Sequence, residues 1–259
     1  MLWLEIVALA VVQGIGEFLP ISSSGHVVVV AALFNEFGRP LHEIVTVNIV
    51  LHVGTLLAII VFYWRRILRL LGSDRRVIGL LIVGSIPAGV VGCLLRGQCE
   101  GMLQSPITAG LMLPLTGLIL LWSVRCDSGK LTCCELTYGR ALMIGLAQAF
   151  AILPGISRSG ATIVAGLACG ARRDEAAAFS FLLAIPAIAG AGLFEIIELL
   201  GKPIGSVSLG MLTVGAMVSF AVGMVSLSWL IRWLDQGRLY LFACWVIPVG
   251  LAVLAWKLL

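Results

Sequence analysis

The chain of 259 residues is 60% hydrophobic and only 12% charged, with a mean hydropathy of +1.11 and a formal charge of +4. Soluble domains carry about 25% charged residues, so this composition excludes a globule that turns its whole surface to water. The small, dispersed positive charge excludes a nucleic-acid binder. The 7 cysteines form no C-x-x-C pair and no cluster with histidine at metal spacing, so they read as small residues of apolar helices and loop thiols.

Crossing about 30 Å of hydrocarbon takes about 20 helical residues. Residues Met1–Ala10 lack the basic start and small-residue cleavage pattern of a secretory signal and are expected to belong to the mature protein. The first apolar stretch, Leu2–Phe34, is too long for one span and is interrupted at Pro20–Gly25. Two short arms joined by a Pro/Ser/Gly break predict a re-entrant hairpin, which lipid tolerates only where the irregular backbone lines a cavity or is buried in protein. Glu43–Trp64, Val77–Leu95 and Pro106–Val124 then read as spans, followed by a polar link over residues 125–137. The plan repeats. Tyr138–Gly170 is broken at Pro154–Gly160, and Glu175–Leu200, Val207–Ile231 and Leu239–Trp256 follow as three further spans.

The expected fold is therefore all-α and polytopic, a single integral membrane domain over residues 1–259. Repeat one covers 1–124 and repeat two covers 138–259. Each repeat holds a re-entrant helical hairpin plus three transmembrane helices, giving six spans and two re-entrant hairpins. An odd number of spans per copy inverts the second copy relative to the first, the plan whose broken segments meet near the membrane midplane. Twelve loop Lys and Arg residues fall on one side, from Arg65 to Arg238, against Arg39, Arg96, Lys202 and Lys257 on the other. The basic side is expected to be cytoplasmic, which turns the mouth of the first hairpin outward.

The two breaks carry the chemistry. Glu17 lies in apolar sequence with Gln13 one turn earlier, and charge at such depth is costly and usually functional. A carboxylate that snorkels to the interface is the alternative. Ser22, Ser23, Ser24, Gly25 and His26 follow Pro20, where an interrupted helix frees N–H groups to cradle an anion; serines are also ordinary N-caps. In the second break Arg158 stands between Ser157 and Ser159, with Gly155 and Gly160 beside it and Thr162 one turn on. A guanidinium in a membrane needs an anion, and its planar fork suits phosphate; an ion pair from Arg158 to Glu17 that simply joins the hairpins is the rival reading. Together these residues supply the clamp, nucleophile and base of phosphoryl transfer. His52 and Asn48, within the second apolar segment, read as a helix–helix hydrogen-bonding pair, and the arginines at 65, 66, 75 and 76 as topology markers near anionic lipid.

Gln13-x-x-x-Glu17 followed by Phe-Leu-Pro-Ile-Ser-Ser-Ser-Gly-His26, with Pro154-Gly-Ile-Ser-Arg-Ser-Gly-Ala-Thr162 later, resembles the undecaprenyl-diphosphate phosphatase (bacitracin-resistance) family. The resemblance covers the whole chain. It implies a plasma-membrane enzyme whose site opens outward and which removes the terminal phosphate of a polyprenyl diphosphate, recycling the carrier lipid of peptidoglycan with the help of Mg²⁺ or Ca²⁺. Carried over by position, Glu17, Ser23, His26 and Arg158 are the expected catalytic residues. Gln13, Ser22, Ser24, Gly155, Ser157, Ser159 and Thr162 are expected to bind substrate, and Glu17 to hold the metal. Gln13 fills a place that admits Glu or Gln, so a metal site of two carboxylates is in doubt here; Ser24 stands where threonine is usual. The expected partners are the lipid substrate and membrane lipids, with no nucleic acid, and pairing with a second copy is left open. A flippase for polyprenyl phosphate is the competing function, because inverted repeats with broken hairpins also build transporters. A type 2 phosphatidic acid phosphatase is rejected: Arg158 is followed by Ser-Gly-Ala-Thr-Ile-Val, without that family's histidine.

Overall fold

In a computed structural model of the chain, which describes residues 3–36, 44–95, 100–126, 129–199 and 208–258, the described residues are helical apart from turns, links and one isolated bridge. The first hairpin is α1 (Trp3–Gly16) and α2 (Ser23–Glu36). Next come α3 (Ile44–Phe62), short α4 (Trp64–Leu70), α5 (Arg75–Leu95), short α6 (Glu100–Leu103) and α7 (Pro106–Trp122). The second hairpin is α8 (Tyr138–Phe150) and α9 (Arg158–Ala168), followed by α10 (Arg173–Leu199), α11 (Leu209–Asp235) and α12 (Ala243–Leu258). Among the described residues, five helices have the length and apolar character to cross a membrane, or six if the bent pair α3–α4 counts as one span. This is a polytopic helical membrane protein.

The expected span Glu43–Trp64, whose first residue lies outside the described residues, ends in a bend. The chain turns by 73° between Phe62 and Trp64. Arg65, Arg66 and Arg69 follow at once; Arg66 turns inward to the buried Glu175 carboxylate, whereas Leu68 is exposed.

Helices start where a hydroxyl can take up an orphan N–H. Ser105 accepts from Thr108 N (3.4 Å) ahead of Pro106, Thr137 from Arg140 N (3.3 Å), and Ser208 from Met211 N (3.3 Å). In lipid, helices associate through close van der Waals packing rather than the hydrophobic effect, so small residues mark the seams. A Cβ on Gly54 of α3 would stand 2.4 Å from Ala216 O of α11, and one on Gly145 of α8 would stand 2.2 Å from Gly84 O of α5. The hairpin arm α1 packs on α11, while the other hairpin arm, α8, packs on α5; α7 packs along α12. At the core Phe18, in the first break, meets Phe181 of α10 with ring centroids 5.7 Å apart.

The link between the halves is more structured than its polarity suggests. Leu131 bridges the turn after α9, with Leu131 N donating to Gly170 O (3.1 Å) and Arg172 N to Leu131 O (3.0 Å). The buried carboxylate of Glu175 accepts from Cys133 N (2.7 Å) and from the Arg66 guanidinium.

Candidate active site

Each break is built by its own sequence. In the first, helical hydrogen bonds continue past α1 through Glu17 N→Gln13 O (2.9 Å) and Leu19 N→Ile15 O (2.9 Å), so Glu17 is held rigidly at a helix end. Pro20 cannot extend that ladder. Ser22 then takes φ of +70°, an uncommon conformation for a non-glycine residue. Its Oγ accepts from Gly25 N, capping α2, and from Gly155 N of the other hairpin, both at 3.2 Å. In the second break Gly155 has φ of +100°. Thr116 of α7 clasps that turn, its Oγ1 donating to Gly155 O (2.7 Å) and accepting from Ser157 N (3.0 Å). Ser157 Oγ accepts from Gly160 N at 3.1 Å and caps α9.

The hairpin tips therefore meet, and two helix N-termini open on one small cleft of about 40 Å³ lined by Gly16, Glu17, Ser22–Ser24, Ala151, Ile156 and Arg158. Glu17, 8% exposed, is the hub. Its Oε1 accepts from Arg158 at 2.6 Å, and its Oε2 accepts from Ser23 Oγ and Gln13 Nε2, both at 3.1 Å. Arg158 also reaches Ser180 O (3.4 Å) and lies 5.9 Å over the Phe181 ring. His52, expected to serve helix packing, instead directs Nε2 toward Glu17 Oε2 at 3.8 Å, too far for a direct hydrogen bond.

Of the residues expected at the site, Gln13, Glu17, Ser23 and Arg158 converge, with Ser22 and Ser24 in the cleft wall. Gly155 forms the turn behind it. Ser157, Ser159 and Thr162 lie fully buried in the supporting network rather than on the cleft: Ser159 Oγ bonds Ser157 Oγ (3.2 Å) and Leu19 O (3.4 Å), and Thr162 Oγ1 bonds Arg158 O (2.8 Å) and Ser180 Oγ (2.5 Å). His26 does not line the cleft. Its Nδ1 donates to Ser22 O (2.8 Å) and its Nε2 accepts from the indole of Trp245 (3.0 Å), a donor-only group that fixes this neutral tautomer. Trp245, Thr116 and Ser180 escaped the sequence reading. Isolated hydroxyls in apolar spans were the available signal for the last two, and nothing local marked Trp245.

A carboxylate, a hydroxyl and a guanidinium around a cleft at two helix N-termini define a membrane protein built to act on a phosphate-bearing ligand. Residues 6–252 match the family of bacitracin resistance protein BacA. The chain is 51% identical to a Rhodopirellula baltica protein named undecaprenyl-diphosphatase, covering 96% of each chain. It is 39% identical to one of that name from Pelotomaculum thermopropionicum (96% of this chain, 95% of the relative) and 36% identical to one from Moorella thermoacetica (97% of each). The chain belongs to the BacA family of bacitracin resistance proteins.

Proposed function

We propose that the protein is an undecaprenyl-diphosphate phosphatase, hydrolysing the lipid diphosphate to the monophosphate and inorganic phosphate and so returning the carrier lipid to envelope synthesis. Bacitracin resistance follows from that activity. The observation that carries this reading is the convergence of Arg158 and Ser23 on the two oxygens of Glu17 within one cleft.

In the resting site Arg158 is neutralised by Glu17. An entering diphosphate competes for the guanidinium, whose fork matches two phosphate oxygens, and the first-turn N–H groups of α2 and α9 add to the pull. Releasing Arg158 leaves Glu17 free to act as base on the Ser23 hydroxyl already bonded to it. Ser23 Oγ loses its proton to Glu17 and bonds the terminal phosphorus as the anhydride P–O bond breaks, its electron pair leaving with the polyprenyl monophosphate. Arg158 balances charge on the transferred phosphoryl group. Water then bonds the phosphorus as the Ser23 Oγ–P bond breaks; its protons leave on the inorganic phosphate, and Glu17 returns its proton to Ser23 Oγ. His26 takes the remaining acid/base role, for which Trp245 must first give up Nε2 as the lipid enters.

A hard divalent cation fits this donor set as a partly protein-held ion. Glu17 Oε2, Ser23 Oγ and the Gln13 amide, turned to present its oxygen, offer oxygen ligands around one point, with other positions left to water and substrate. Mg²⁺ or Ca²⁺ held there would offset diphosphate charge.

The architecture belongs to the same reading: two inverted halves, each a re-entrant hairpin and three spans. Its support is the reciprocal packing of each hairpin arm, α1 on α11 and α8 on α5, which exchanging the halves interconverts. The basic loops lie in the cytoplasm and the cleft opens outward. Lipid flipping without hydrolysis would have no use for the Ser23–Glu17 bond. Replacing Arg158 by Ala in purified protein should lower phosphate release from a C55 diphosphate by about 10²–10³-fold or more. Near-normal turnover would overturn the assigned role.

A further inference from the structure

Among the described residues, His52 is the imidazole that faces Glu17, and its surroundings explain why it can. Its Nδ1 lies 2.8 Å from Asn48 O, a carbonyl that can only accept, so Nδ1 carries the proton and Nε2 presents a lone pair. The helical turn that bears it is pinned to α11: Ser219 Oγ donates to Leu51 O (2.9 Å), and Gly54 closes against Ala216 O. Thr55 Oγ1 donates to His52 O at 3.0 Å. The ring is thereby aimed with little freedom, and its side chain is 31% exposed beside a carboxylate that is 8% exposed.

Two acceptor atoms, His52 Nε2 and Glu17 Oε2, face each other 3.8 Å apart, and a cation between them would replace the hydrogen bonds that Oε2 accepts from Ser23 and Gln13. Ligand bonds of about 2.0–2.2 Å reach both atoms from a single point. Arg158 engages the other carboxylate oxygen, Oε1. An imidazole with one ring N–H donated to a backbone carbonyl is the usual outer-sphere arrangement of a metal-bound histidine. Position 13 offers an amide rather than a second carboxylate, so nitrogen from His52 is the second strong donor at hand.

We propose that His52 Nε2 and Glu17 Oε2 are the two strong donors of a divalent-cation site in this chain. A nitrogen donor inclines the site toward a borderline first-row ion such as Mn²⁺ over Mg²⁺ or Ca²⁺. The site deepens the phosphatase reading, on which its use beside a diphosphate rests; its binding chemistry stands apart from that reading.

The test uses the purified full chain in detergent, stripped with a chelator and titrated with Mn²⁺ alone. Electron paramagnetic resonance should report one bound Mn²⁺ per chain carrying ¹⁴N coupling from a directly bound imidazole. His52→Gln should abolish that coupling and weaken Mn²⁺ binding by about tenfold or more, while eluting as a single species like the parent. His26→Gln should retain the coupling. The parent protein alone can overturn the proposal, by binding no Mn²⁺ or by binding it without nitrogen coupling; so can a coupling that survives in His52→Gln. Phosphate release from C55 diphosphate is measured on the same preparation. Its absence in the parent overturns the phosphatase reading and leaves the cation site standing.

Discussion

Ser22 Oγ accepts the backbone N–H of Gly155 at 3.2 Å, a hydrogen bond that joins two segments 133 positions apart in the chain. The same oxygen caps α2 through Gly25 N, so one buried hydroxyl satisfies a donor from each hairpin. Ser22→Ala strands both, at about 1–3 kcal/mol for a buried unsatisfied group. The expected result is a lower thermal midpoint together with reduced phosphate release. Ser23→Ala, by contrast, should abolish release while leaving the midpoint near that of the parent. Equal midpoints for the two variants would refute this division of labour.

Gly25 and Gly155 bring the backbones of the two hairpin tips close together. A Cβ on Gly25 would lie 2.8 Å from Gly155 Cα and 2.9 Å from its nitrogen, backbone atoms that cannot move aside as a side chain does. Gly25→Ala should force the tips apart, at about 1–3 kcal/mol of strain, and drag Arg158 off Glu17. Turnover should fall more than tenfold even at saturating substrate. A variant with parental kcat would show that the tips tolerate separation.

Trp245 holds His26 through Nε2 and stacks on it with planes 8° apart. Trp245→Phe keeps an aromatic face and deletes the N–H, leaving Nε2 free to exchange protons with substrate. If His26 performs acid/base chemistry, Trp245→Phe should change the pH profile of kcat and leave His26→Ala inactive. An identical profile in parent and Trp245→Phe would place His26 outside the chemistry.

In the link between the halves, burial pushes the Cys133 thiol well above its ordinary range, and hydrogen bonding and charge from Glu175 add to the rise. The thiolate is the reactive form, so raising the acid constant lowers the reactive fraction at any given pH. Cys133 should resist maleimide at pH 8 in the folded protein and react once denatured. Rapid labelling of native protein at Cys133 would contradict the packing of the link against α10.

Much of this was legible in the residues because lipid imposes blunt rules. Long apolar runs located the membrane-length helices, and the interruptions at Pro20 and Pro154 fall in the turns between α1 and α2 and between α8 and α9. Glu17 and Arg158 stood out because charge is expensive in hydrocarbon, and Gln13 and Ser23 were singled out by their places in the motifs around them. What escaped depends on tertiary packing. The 73° turn falls at Tyr63, just ahead of the arginine cluster, with no proline or glycine to mark a bend. Thr116 and Trp245 sit in helices whose composition says only that they span, and their partners lie in distant hairpins. Ser157, Ser159 and Thr162 were expected to bind substrate from their places in the second motif, whereas here their hydroxyls bond one another, the turn and the backbone of Arg158. His52 was read as packing because its partner, Glu17, lies on another element.

Arg158 follows Glu17 by 141 residues, yet the two are joined at 2.6 Å. A ribosome working at about 5–20 residues per second needs on the order of ten seconds to make the intervening chain. Throughout that interval the first hairpin carries a carboxylate without its cation, and holding a charge at bilayer depth costs about 2.5–3.5 kcal/mol on insertion scales. The cheaper course is for the hairpin to wait at the headgroup boundary and sink only when its counterpart is translated. Insertion of the first half is then finished by the second, and a chain stopped after residue 124 would leave its amino-terminal hairpin lying on the membrane.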